Sequence, residues 1–152
     1  MFSDVHHFKD WLTQAEQPFL IRSMEPLNPN TAYTILEELK AVFTKSAEAT
    51  RGDYSWLNLS GILGEAILPI MKATQKVETL STGSEKKKFA VAATRALFRL
   101  IDRGIEHDQN HVGSAMPITG PGNENIEEMF VIPLAEQAIE QCYEIGKGTF
   151  FQ

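Results

Sequence analysis

Lys88, Arg95, Arg99 and Arg103 follow one another at intervals of seven, four and four residues, and Glu136, Glu140 and Glu144 at intervals of four. On a helix such spacing places each set on one face. Between positions 84 and 103 there are six basic residues, Lys86, Lys87, Lys88, Arg95, Arg99 and Arg103, against two acidic ones, Glu85 and Asp102, a net +4. Between 124 and 144 there are six glutamates and no basic residue, a net −6. Two chemistries follow. In the first, the acidic helix lies against the basic one, within the chain or across a subunit contact, and Arg99, Arg103, Glu136, Glu140 and Glu144 set the orientation. Reversing Arg99 and compensating at Glu140 tests that pairing. In the second, the basic face of 84–103 captures a small phosphorylated ligand such as a nucleotide. The helix that starts after Gly83 offers unpaired N–H groups and the positive end of its dipole. Ser84, Lys87, Lys88, Arg95 and Arg99 are then the ligand residues, although the Walker-type Gly-Lys-Ser/Thr spacing is absent. Charge runs on helices are more often paired or solvated surface, so the first reading leads.

His107-Asp108-Gln109-Asn110-His111 is a second constellation. Two histidines four apart on a helix can share a metal ion, and an acidic residue after the first resembles the zinc-protease pattern His-Glu-x-x-His. Asp has a shorter arm than Glu, and Asn110 with Gly113 points to a helix that is already ending. The expectation is therefore a polar helix end, with His107 and His111 a minor metal candidate. His6 and His7 read as surface residues, and Arg51-Gly52-Asp53 as a turn that ends a helix. Cys142, the single cysteine, reads as a core thiol among Ile139, Tyr143 and Ile145. No Ser-His-Asp order, dinucleotide loop or kinase signature is present. No catalytic residue and no cofactor are expected.

The elements that must position these residues are helical almost throughout. Ser3 caps a first helix with Val5, Phe8, Trp11 and Leu12 on one face. Pro18 and Pro26 bracket Phe19-Leu20-Ile21, whose type the pattern leaves open. Asn28-Pro29-Asn30-Thr31 reads as a turn and cap, after which Ala32, Ile35, Leu36, Leu39, Val42, Phe43 and Ala47 mark an amphipathic helix ending near Gly52. The next helix is expected over 56–80. It is apolar on more than one side in its first half, which predicts a place at the centre of the bundle, with a kink at Pro69. Gly61 and Gly64 would admit a close helix approach, but relief of crowding in the core is the preferred expectation. Thr82 and Glu85 have capping-box spacing. They open a helix carrying Phe89, Val91, Ala93, Ala96, Leu97, Leu100, Ile101 and Ile105. A long Gly/Pro-rich loop over 107–125 follows, then a final helix within 126–145, capped by Gly146. An isolated strand at 129–132 is the one alternative.

The whole chain, 152 residues with a net charge of −6, reads as one all-α domain, a bundle of four to six helices. The core should include Trp11, Ile35, Leu39, Phe43, Ile62, Leu63, Ile67, Phe89, Leu97, Leu100 and Ile139. The acidic balance argues against general nucleic-acid binding. A lone cysteine excludes an intrachain disulfide. The apolar stretch 57–71 contains Glu65 and Pro69 and falls short of the roughly 20 residues a membrane span needs. With no signal-peptide pattern at the N-terminus, a soluble cytoplasmic protein is expected.

Val77-Glu78-Thr79-Leu80-Ser81-Thr82-Gly83-Ser84-Glu85-Lys86-Lys87, followed by Val91 and a helix, resembles a segment of small tailed-phage proteins of the holin neighbourhood and of virion-associated proteins. There a Val-Glu-x-Leu stretch precedes a Gly-rich break and a Glu-Lys-Lys helix start. The resemblance implies a phage-like origin, in host cytoplasm or virion, and carries over no catalytic residue. The expected function is that of a non-enzymatic interaction protein, a phage-like accessory or virion component acting as a homo-oligomer or on another protein. Phe150 and Phe151 form an apolar pair that either a neighbouring subunit or their own domain could cover.

Overall fold

The computed structural model describes residues 2–14, 18–53, 55–112 and 132–145, the side chains of Trp56, 102–112 and 142–145 excepted. The described residues form an all-α bundle of six helices, with no strand. They are α1 (Val5–Gln14), α2 (Pro18–Met24), α3 (Pro29–Thr50), α4 (Trp56–Gln75), α5 (Gly83–Val112) and α6 (Ile132–Ile145). One cluster of buried side chains draws on all six. The α3 and α4 helices pack along each other, α6 lies across α4 and α5, and α1 sits on α2 and α3. No described helix is long and apolar enough to cross a membrane.

Local chemistry sets the helix starts. Asn28 caps α3, its side-chain oxygen accepting the Asn30 N–H at 2.8 Å, with Pro29 pre-set in φ for the first turn. Ser55 caps α4 by accepting the Asn58 N–H at 3.3 Å. Thr82 caps α5 by accepting the Glu85 N–H at 3.1 Å, while the Glu85 carboxylate accepts from the hydroxyls of Ser81 and Thr82. The first helix departs from expectation. Its cap is Asp4, which accepts the His7 N–H at 2.8 Å, while the Ser3 hydroxyl meets the His7 ring instead. The open segment after Pro18 is helical, with Leu20, Ile21 and Met24 buried.

The α4 helix ends five residues before the expected boundary. Val77 and Leu80 are still buried, but in tight turns, with the Val77 N–H on the Thr74 carbonyl and the Leu80 N–H on that of Val77. The Thr79 hydroxyl donates to the Ser23 carbonyl of α2 at 2.6 Å and fixes this connection. Burial continued past the helix, and apolar periodicity reads burial, not hydrogen bonding. Of the expected core, Trp11 and Ile62 are half-buried and the rest are buried. Trp11 stands among the rings of Phe2, Phe8 and Phe43.

The central helix is α5, not α4. It packs against α2, α3, α4 and α6, and from Phe89 to Ile101 only Val91, Arg95 and Arg99 are not buried. Ala90, Ala92, Ala93 and Ala96 let neighbours close in on several sides at once. The α4 helix keeps an open face. Leu57 is 84% exposed and Leu68 42%, and among the described residues a Cβ added at Gly61 or Gly64 would meet nothing within 4 Å. The two glycines therefore relieve no crowding in the core.

Candidate functional site

The α5 helix brings Ser84, Lys87, Lys88, Val91 and Arg95 to one side, at the three- and four-residue steps that share a helix face. The α6 helix does the same with Pro133, Glu136, Gln137 and Glu140. Between them opens a groove of about 720 Å³. Its apolar lining comes from Val91, Ala92, Ile139 and the half-buried Phe19 of α2. Lys88 holds its ammonium 4.6 Å from the Phe19 ring centroid, on the electron-rich face. Lys87 forms an ion pair with Glu140 across the groove.

The basic and acidic stripes thus meet within one chain. Glu140 pairs with Lys87 near the start of α5, while Arg99 is not among the residues that line the groove. Four of the five residues assigned to phosphate capture, Ser84, Lys87, Lys88 and Arg95, line this one cavity. So do Glu136 and Glu140, whose carboxylates oppose an incoming anion. Three cations and two carboxylates around an apolar floor can hold a group of mixed charge. No paired nucleophile and base lie among the lining residues.

The α5 helix extends to Val112 and carries the backbone of His107 and His111 in a continuous helix, which corrects the expectation of a loop from 107. Their side chains lie outside the described residues, as do those of Arg103, Cys142 and Glu144. The rest of the loop, the candidate strand up to 131, Gly146, Phe150 and Phe151 lie outside the described residues altogether. Among the described residues no group of three His, Cys, Asp or Glu could hold a metal ion.

Phe19 is the groove residue that sequence reasoning missed. Its signal was the apolar run after Pro18, but nothing in that run tells which helix it will touch. A second cavity of about 390 Å³ lies among α1, α2 and α3, with His6, Lys9, Glu25 and Tyr33 among its lining residues. Tyr33 hydrogen-bonds Glu37, and that bond, with the carboxylate charge, holds the phenol above its ordinary pKa. In comparisons with known proteins, no family model, no curated protein and no solved structure matched the chain.

Proposed function

We propose that the protein is a non-enzymatic helical interaction protein that acts as a homo-oligomer, in the setting of a phage-like accessory or virion component to which the 77–91 segment points. The observation that carries this reading is the open face of α4. Two of the three large hydrophobic side chains exposed among the described residues, Leu57 and Leu68, lie on it. With Gly61 and Gly64 between them, Leu57 and Leu68 make the side of α4 turned away from the core a surface that a second copy can cover. The charged stripes are partly satisfied within the chain, since Lys87 pairs with Glu140, and they leave assembly to another surface. Sedimentation equilibrium over a wide concentration range tests the reading. A concentration-dependent dimer or larger assembly is expected, and a monomer at every concentration overturns it.

A second reading, capture of a small phosphorylated ligand, is favoured by one observation: Ser84, Lys87, Lys88 and Arg95 line a common cavity. Arg suits bidentate phosphate contacts and Lys acts as a point charge. A ligand at a hundred times its dissociation constant adds about 2.7 kcal/mol of stability. A thermal-shift series with mono-, di- and cyclic nucleotides therefore decides it. Absence of any shift removes this reading and leaves the first intact.

A further inference from the structure

Leu57, Gly61, Gly64 and Leu68 are separated by four, three and four residues, so their order of spacings is the same read from either end. At about 100° per residue the four fall within a stripe about 60° wide, the seam spacing by which two helices interlock in water. Among the described residues nothing covers the stripe, since Leu57 and Leu68 are exposed and a Cβ at either glycine would meet nothing within 4 Å. Other residues are placed evenly about the same midpoint, between Ile62 and Leu63. Ser60 on one side matches Glu65 on the other, and Asp53, just ahead of the Ser55 cap, matches Lys72 in the last turns of the helix. Asp53 and Lys72 are both exposed.

A stripe with this symmetry is complementary to itself when a second copy is laid antiparallel. A two-fold axis through the midpoint brings Leu57 of one copy over Leu68 of the other at both ends. It sets Gly61 against Gly64 in the middle, where the missing side chains let the backbones approach. It also carries Asp53 of each copy toward Lys72 of the other, pairing opposite charges at the rim. The alternative parallel arrangement sets Leu57 on Leu57 but Asp53 on Asp53 and Lys72 on Lys72, which is repulsive. We propose that the exposed face of α4 is the interface of a two-fold symmetric, antiparallel dimer of this chain, closed by Leu57–Leu68 contacts and a glycine-lined close approach. This rests on the homo-oligomer reading and names its surface and register.

Disulfide trapping reads the register directly, in a Cys142→Ser background so that only introduced thiols react. Leu57→Cys and Leu68→Cys chains are mixed and oxidised, and each is also oxidised alone. Residues 57 and 68 lie about 16 Å apart along the helix axis, so identical cysteines in an antiparallel dimer are beyond the roughly 7 Å Cα separation a disulfide tolerates. Cross-linking of the mixture and not of either single variant is expected. Gly64→Leu adds bulk where the free chain has open space, so it should leave the monomer folded while raising the dimer dissociation constant at least about tenfold. A chain that is monomeric throughout overturns both this proposal and the homo-oligomer reading. An assembly that withstands Gly64→Leu, or in which Leu57→Cys links to itself, overturns this interface alone and leaves the homo-oligomer reading standing.

Discussion

Asp4 closes the first turn of α1 by accepting the His7 amide, and that hydrogen bond is the main reason its carboxyl titrates below the ordinary carboxylate range. Desolvation opposes this shift, and the His7 and His6 imidazoles add to the lowering. Because the folded-state pKa is depressed, the cap's contribution is fully present above the unfolded carboxylate pKa. It is lost as pH falls through the lower folded value. Acidification through this window should fray α1, and the signal is at hand in Trp11, which packs on Phe2 and Phe8. Tryptophan fluorescence should report the loosening in the wild type, and Asp4→Asn, which keeps a capping oxygen but does not titrate, should remove that pH dependence. Fluorescence changes of equal size in both proteins would assign the transition to another group.

At the scale of elements, α6 is held to α5 by a shared apolar seam and by the Lys87–Glu140 pair across the groove. The side chain of Lys87 is about one third exposed and that of Glu140 about half, so solvent screens the pair and about 0.2–1 kcal/mol is its expected worth. Lys87→Glu should therefore destabilise the fold modestly, more at low salt than at high, and Glu140→Lys in the same chain should recover part of the loss. Urea denaturation of the two single variants and the double variant measures the coupling. Strict additivity would mean that the pair contributes nothing. A second tie of this kind, Lys76 with Glu38, joins the end of α4 to α3.

For the whole molecule, the decisive feature is a central helix made thin enough to be surrounded. Ala93 has no exposed surface. Ala93→Leu should overpack the centre and cost about 1–3 kcal/mol. Ala41→Leu, on the exposed side of α3, should change stability by less than about 0.5 kcal/mol. Chemical denaturation separates the two, and equal effects would mean that α5 does not hold the centre.

That difference also marks how far the residues could be read without the fold. The helical class, the caps at Asn28 and Thr82, the turn at Gly52 with its φ of 84° and the inward faces of α3 and α5 all follow from the sequence alone. Each depends on groups within about four residues of one another, the range over which side chains meet on a helix or bond its end. Of the groove residues, Lys88, Arg95, Glu136 and Glu140 were legible as charged stripes for the same reason, and Ser84 and Lys87 as residues of a helix start. Tertiary structure alone decided that Lys87 meets Glu140, that Phe19 closes the groove, that α5 and not α4 is central, and that Gly61 and Gly64 face outward. Amphipathic faces of similar width are interchangeable in pattern, and helices choose among them by the fit of side-chain volumes across the core. That fit joins residues tens of positions apart, as the Thr79–Ser23 and Lys87–Glu140 contacts do, and no local spacing encodes it.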